Sequence, residues 1–294
     1  MISVIICSVK EELARQVKAN IDSTIGVNWE YICIPNVNPS RSLTAVYNEG
    51  AARAIYPLLC FVHEDVEFRT IGWGKILSEY FRADPQLGML GLAGSAYKSR
   101  TPSGWTSFLP EFDRCHVIQR LDGGKECPMY FDGGEPASLK DVISVDGVFM
   151  VIPKKVATLI PFEEQLLDGF HFYDVDISVR IARQYRVAVT FEIDLVHFST
   201  WGDFGDKWVG YALKWHRSQA SALPLYTSAV KKSSIPVFEH KVTIAWLKRL
   251  QKEKISFRNR LKWVGAIGGW KKPLLWPYMC LFFIVRPISK LLRR

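Results

Sequence analysis

Apolar runs and amphipathic stretches take turns along the first hundred residues. "ISVIIC" (2–7) is apolar but for one serine, rich in β-branched residues and too short for a buried helix, so it predicts a buried strand. The polar "SVKEE" behind it opens a helical stretch to about Gly26, and "WEYICIP" predicts a second strand. "SLTAVYNEGAARAI" predicts a helix with Ser42 as its N-cap. "LLCFVH" then reads as a third buried strand, "GWGKILSEYFRA" as another helix and "LGMLGLAG" as a fourth strand. Such alternation predicts an α/β fold with a parallel, doubly wound sheet flanked by helices. Ligands of such sheets bind beyond the carboxyl ends of the strands.

Residues 95–143 break the rhythm with Gly, Pro, Ser and aromatic residues, which predicts long loops with a hairpin among them. Order returns with "VISVDGVFMVIPKKV", a strand running into a short helix. "DVDISVRIARQY" follows as a helix, and "RVAVTFEIDLVHFS" as a single closing strand. Beyond about residue 236, "KVTIAWLKRLQKEKISFRNRLKWV" alternates apolar and basic residues at helical spacing. The apolar run "PLLWPYMCLFFIV" then falls short of the roughly 20 residues of a membrane-spanning helix, and Pro277 interrupts it.

Charge sharpens this division. From Lys231 onward there are 16 lysines and arginines against two acids, whereas the first 230 residues carry 22 against 27, so an acidic body ends in a strongly basic tail. The expected domains are therefore 1–230, the α/β body, and 231–294, a basic helical extension. Trp, Tyr and basic residues around an apolar run fit a segment lying in a membrane interface. The alternative is a C-terminal helix packed on the body or against a second subunit. A nucleic-acid-binding tail is a third reading, but a continuous apolar run suits lipid better than the dispersed basic residues and isolated aromatics of backbone binding. The chain's 294 residues, 48% of them apolar, suffice for a sizeable core. The first residues read as a strand rather than a secretory signal, which leads us to expect a cytoplasmic protein. Six scattered cysteines without a C-x-x-C spacing read as free thiols.

Chemistry gathers at three places. "PLLCFVHEDVEF" (57–68) ends an apolar strand in His63, Glu64 and Asp65, and carboxylates there need a cation, a partner or solvent. A hard divalent cation with oxygen ligands answers that need, and an exposed turn in which Asp65 caps the next segment is the plainer alternative. In "GFHFYDVDISVRIARQ", Asp174 and Asp176 open a helix, where a carboxylate can cap the helix or serve as a general base. His197, in "DLVHFS", ends the last strand; alone, such a histidine is more often a hydrogen-bonded core residue.

In order and spacing, "ISVIICS", "SLTAVYNEGAARA", the strand ending "HED", "VDGVFMVIPKKV", "GFHFYDVDISVRIA" and "VHFS" resemble the inverting family 2 glycosyltransferases of the GT-A fold. The likeness spans roughly residues 1–225 and is nearest to the subgroup named after the streptomycin-biosynthesis protein StrF. It implies that Asp65, in the family's D-x-D position, binds the Mn²⁺ or Mg²⁺ ion that holds the nucleotide diphosphate. His63 stands where the first aspartate would be, which leaves open whether it helps bind the nucleotide or the metal or only shapes the loop; Glu64 beside it would join the nucleotide-sugar site. The family's E-D pair falls on Tyr173 and Asp174, which makes Asp174 the catalytic base, with Asp176 and Arg180 supporting it. His197 would complete the metal site. Ser8, Val9 and Lys10 would meet the base and ribose, Asn48 would lie beneath the nucleotide, and Asp146 and Gly147 would line the sugar pocket. Tyr97 and Trp105 are candidates for stacking on the acceptor. The Q-x-x-R-W motif of processive synthases is missing, which implies transfer of one sugar. The implied partners are a UDP-type donor, a glycan or lipid-linked acceptor and, through the tail, the inner face of the cytoplasmic membrane, with no nucleic acid. Surface polysaccharide or glycolipid synthesis would use such an enzyme. The missing first aspartate also admits a catalytically inactive nucleotide-sugar-binding module.

Overall fold

The structure, a computed structural model, describes residues 1–37, 40–121, 123–134, 137–198 and 204–291. Its first third follows the predicted alternation: β1 (Ile2–Ser8), α1 (Glu11–Thr24), β2 (Trp29–Pro35), α2 (Leu43–Arg53), β3 (Leu58–Val62), a short β4 (Val66–Phe68), α3 (Trp73–Ala83) and β5 (Leu87–Gly91). Ser42 caps α2, its hydroxyl accepting from the Ala45 amide at 3.2 Å. The middle segment contains β6 (Ala93–Ser95), β7 (Tyr97–Lys98), β8 (Asp113–Arg120), β9 (Glu126–Phe131), β10 (Leu139–Asp141), β11 (Ser144–Val145) and β12 (Phe149–Pro153). The rest is mainly helical: α4 (Lys154–Leu159), α5 (Tyr173–Ala182), β13 (Arg186–Thr190), β14 (Leu195–His197), α6 (Asp206–Ser218), β15 (Leu225–Tyr226), α7 (Ile235–Gln251), α8 (Phe257–Ala266) and α9 (Trp276–Leu291).

The main sheet has the order β10-β13-β5-β12-β3-β1-β2. It is mixed rather than parallel throughout. β2, β1, β3, β5 and β13 run one way, whereas β12 lies antiparallel between β3 and β5, and β10 is antiparallel to β13 at the edge. Every residue of β3, β5 and β12 is buried, as strands covered on both faces must be. The excursion from β6 to β11 explains the reversal. It builds a second sheet, β11-β6-β8-β14-β4 with β9 on β8, and brings the chain back to the main sheet at the carboxyl end of β3. Two expected single strands are therefore each divided between the sheets: "LGMLGLAG" into β5 and β6, and "RVAVTFEIDLVHFS" into β13 and β14. The hairpin expected in residues 95–143 is the β8–β9 pair, in register from Cys115↔Phe131 to Arg120↔Glu126.

The tail's inner face is part of the core. Trp246 of α7 stacks on Trp208 of α6 with ring centres 5.2 Å apart, Thr243 bonds Thr101 at 2.7 Å, and Trp263 of α8 donates to the Pro102 carbonyl at 3.0 Å. Tyr97 belongs to the same core, 1% exposed with its hydroxyl donating to Glu239, so it is not free to stack on an acceptor. Pro277 does not interrupt a helix; it is the second residue of α9, where its missing N–H leaves no hydrogen bond unmade. No described helix is long and apolar enough to cross a membrane. Residues 292–294, the end of the expected basic extension, lie outside the described residues. All six cysteines are free thiols.

Candidate active site

The carboxyl ends of β1 and β3, the turn before β12, the first turn of α5 and the end of β14 meet at one place. β3 stops at Val62, where the His63 amide donates to the Val148 carbonyl at 3.2 Å, so the ionisable triplet hangs past the sheet. β4 then turns back antiparallel to β14 with Val66 opposite His197, which sets His197 beside Asp65. His197 Nε2 is 3.6 Å from Asp65 Oδ1, and His63 Nδ1 is 3.8 Å from the same oxygen. One ligand atom from each of His63, Asp65 and His197 lies within 4.8 Å of the others.

This trio fits a divalent cation. His197 Nε2 is buried and has no hydrogen-bond partner among the described residues, a costly state for a polar atom unless something else engages it. Two imidazoles and one carboxylate are a donor set that first-row metals accept. Burial works to raise the Asp65 carboxyl, but His197 and His63 more than offset it and leave it below the usual range. Burial, then the nearby His197, pushes His63 down, favouring the neutral imidazole.

Glu64 faces the other way. Its carboxylate accepts from the Ser8 hydroxyl at 2.8 Å and from the amides of Val9 and Lys10, the shorter contact to Lys10 being 3.1 Å. An acid thus satisfies the free amides that lead into α1 and fixes the turn after β1. A cavity of about 260 Å³ between α1 and β4, lined in part by Glu64, Glu67, Asn20 and Phe198, opens on this side. A larger cavity of about 630 Å³ lies at the opposite strand ends, against Pro57, Leu87 and Pro153. It is lined by no carboxylate or imidazole, and neither cavity is lined by His63, Asp65, His197 or Asp174, so the site is defined by the side-chain cluster itself.

Asp174 completes the cluster. Phe172, just before α5, is buried with φ at 71°, a left-handed conformation that costs a non-glycine residue energy and is held by packing on Trp208 and Trp215. The strained entry sends Tyr173 and Asp174 toward the turn before β12, where Asp174 Oδ2 accepts from the Gly147 amide at 3.1 Å. Burial, then the charge of Asp146, pushes Asp174 up to about 7. Asp146 itself accepts from the Val148 amide at 2.9 Å. Gly147 must be glycine, because a Cβ there would lie 2.0 Å from the Tyr173 hydroxyl. That hydroxyl is 2.9 Å from His63 Nε2, and burial keeps it protonated.

Three predicted residues are engaged around the cluster rather than at its centre. Asp176 is 1% exposed and accepts from Arg180 Nε at 2.7 Å and Trp215 Nε1 at 2.9 Å, which ties α5 to α6. Arg180 reaches on to the Pro161 carbonyl at 2.6 Å. Asn48, expected beneath the nucleotide, is a clasp between α2 and residues 162–164: its amide donates to the Phe162 carbonyl and Glu164, and its carbonyl accepts from the Phe162 amide. Lys98 was not anticipated. It is fully enclosed, donates to Ser103 and to the Gly104 carbonyl, and lies 5.3 Å from the Trp215 ring centre. Burial pushes it well below the usual lysine range, against the opposing charge of Asp174.

The chain is similar to known proteins in its sequence profile and in its fold. Residues 3–217 match the sequence profile described as "Glycosyltransferase like family". No curated protein matches the sequence. Among solved structures, GalNAc-T7 with UDP, GalNAc and Mn²⁺ is similar at a TM-score of 0.50 and 10% identity. The match covers 82% of this chain and 54% of that one, so this chain spans about half of that protein's length. Mannosyltransferase PcManGT from Pyrobaculum calidifontis, with GDP-Man and Mn²⁺, aligns over 99% of this chain and 86% of its own at 13% identity and a TM-score of 0.47. A197 from STIV aligns over 68% of this chain and 86% of its own at 13% identity and a TM-score of 0.39.

Proposed function

The chain belongs to the glycosyltransferase-like family and has an α/β, GT-A-like fold with mixed sheets; on that premise, we propose that it is a metal-dependent, inverting glycosyltransferase that moves one sugar from a nucleotide-sugar donor to an acceptor hydroxyl. The observation that carries this reading is Asp174. It is a carboxylate at a helix start, pushed up to about 7 by burial and Asp146, beside a cluster able to hold a cation. A base with that affinity is about half ionised at neutral pH and can accept a hydroxyl proton there.

The donor, UDP-type in our reading, lies over the strand ends with its nucleoside beside the turn Ser8–Lys10 that Glu64 fixes. Asp65 and His197 would hold Mn²⁺ or Mg²⁺, which supplies positive charge for the leaving diphosphate. Asp146 and Gly147 border the sugar. Asp174 takes the proton of the acceptor hydroxyl while that oxygen bonds to the anomeric carbon. The bond from that carbon to the diphosphate breaks on the opposite face, the nucleoside diphosphate departs with the bonding pair, and the configuration inverts. Asp176, Arg180 and Asn48 act by holding α5 and residues 161–164 in place.

We further place the enzyme, StrF-like in kind, at the inner face of the cytoplasmic membrane. There the body 1–230 would act on a glycan or lipid-linked acceptor in surface polysaccharide or glycolipid synthesis, and the extension 231–294 would hold lipid. Supporting this, Phe257, Leu261, Trp270, Leu274, Trp276 and Leu281 are exposed, interspersed with exposed Arg258, Lys262, Lys271 and Lys272. The class is tested by screening nucleotide sugars for Mn²⁺-dependent thermal stabilisation. The true donor raises Tm only with the ion, and a complete lack of response across the donors would refute the reading.

A further inference from the structure

His63 and Tyr173 come from separate elements, yet His63 Nε2 and the Tyr173 hydroxyl lie 2.9 Å apart, and each is fixed on its far side. The ring of Tyr173 is 5% exposed, packed against Tyr47 at 5.6 Å. Its hydroxyl sits over Gly147 so closely that no side chain fits there. His63 is pinned by its amide to Val148, and its ring stands 5.6 Å from that of His197. The imidazole therefore presents one nitrogen to Tyr173 and the other, Nδ1, to Asp65 Oδ1 at 3.8 Å, on the side where His197 Nε2, buried and with no hydrogen-bond partner among the described residues, stands 3.6 Å from the same oxygen.

The geometry points to His63 as the third ligand of the cation held by Asp65 and His197, with Tyr173 as the positioning residue that keeps its Nε2 protonated and its Nδ1 lone pair on the ion. A ligating histidine commonly commits its second nitrogen to such a partner, which fixes both ring and tautomer. Two imidazoles and one carboxylate favour Mn²⁺, Co²⁺ or Zn²⁺ over Mg²⁺, which prefers oxygen donors and retains its waters. The inference rests on the metal site of the proposed function but is separable from it, because it is read from ion binding without donor or turnover.

The test is titration of the full chain with Mn²⁺ alone, following free Mn²⁺ by electron paramagnetic resonance, for wild type, Tyr173→Phe, His63→Asp and the double variant. We expect Tyr173→Phe to weaken Mn²⁺ by about 10–100-fold. In the His63→Asp background the same change should have almost no effect, and His63→Asp should narrow the preference for Mn²⁺ over Mg²⁺. An equal loss in both backgrounds, an unchanged affinity in Tyr173→Phe, or no saturable binding by wild type would overturn the inference. Only the donor screen and turnover would then judge the transferase reading. Should a variant fail to fold, ¹⁵N spectra of the unaltered protein decide. His63 is expected as the Nε2–H tautomer, with its Nδ1 resonance displaced by Zn²⁺; an Nδ1–H tautomer or an unmoved Nδ1 contradicts the assignment.

Discussion

Asp174 accepts a hydrogen bond from the Gly147 amide at 3.1 Å while the carboxylate of Asp146, one residue away in the same turn, raises its proton affinity. The Gly147 amide holds the base in place and lowers its proton affinity, while burial and Asp146 raise it and prevail.

The pH profile reads the tuning. Asp174 works only when deprotonated, so kcat/KM should rise with pH through about 7 and level off above it. Asp146→Asn removes the repulsion and should move that rising limb to lower pH. An unmoved limb would place the titration on another group.

Gly147→Ala reads the positioning. The new methyl meets the Tyr173 hydroxyl, and relief requires movement of Tyr173 or of the turn. Overpacking of this kind costs roughly 1–3 kcal/mol. Chemical denaturation should show that loss, with a drop in turnover; a fully stable and active variant would mean that the turn is looser than described.

Asp176 serves the frame. Asp176→Ala leaves the Arg180 guanidinium and the Trp215 indole without their acceptor, and partial exposure of Arg180 moderates the effect. We expect a loss of about 1–3 kcal/mol in urea unfolding. Any remaining folded enzyme should keep the pH profile of wild type.

Glu64→Gln keeps the shape but removes the charge that holds the amides of Val9 and Lys10. Charge-assisted bonds are about twice as strong as neutral ones, so the turn after β1 should loosen. Donor KM should rise several-fold with kcat little changed, measured at saturating acceptor.

For the tail, the paired change Leu274→Glu and Trp276→Glu replaces two exposed apolar side chains. Each fully buried apolar side chain is worth about 1.5–3 kcal/mol, so co-sedimentation with anionic phospholipid vesicles should fall at least tenfold. Transfer to a soluble acceptor should be untouched. Unchanged sedimentation would sink membrane anchoring.

Much of the fold was legible because β1 and β3 are short apolar runs and Ser42 precedes an amphipathic stretch. Direction was not. "FMVIP" reads the same parallel or antiparallel, and only the second sheet built by residues 93–145 turns β12 around. The break between β13 and β14 hides in Phe191–Asp194, where Phe191 and Ile193, alternating with Glu192 and Asp194, keep a strand-like pattern across the change of sheet. In the tail, the basic residues drew attention to the outer face, while Trp246 and Trp263 carry an inner face that joins the core. Within the site, Asp65, Asp174 and His197 stand out because each lies just past a strand, at a strand end or in the first turn of a helix, and the family resemblance alone suggested what each would do. The clasp formed by Asn48 depends on where residues 162–164 fall, and the enclosure of Lys98 on the loop 99–104, which no local pattern announces. His63 and Tyr173, the two departures from the D-x-D and E-D patterns the sequence resembles, are bonded to each other, and only the fold brings them together.

The most direct measurement is kcat/KM for the donor found in the screen, comparing wild type with Asp174→Asn at saturating Mn²⁺, with the anomeric configuration of the product read by NMR. An inverted product, with a loss of about 10²–10⁴-fold in the variant, is the expected result. Turnover that survives Asp174→Asn, or a product of retained configuration, would contradict Asp174 as the base of an inverting transfer.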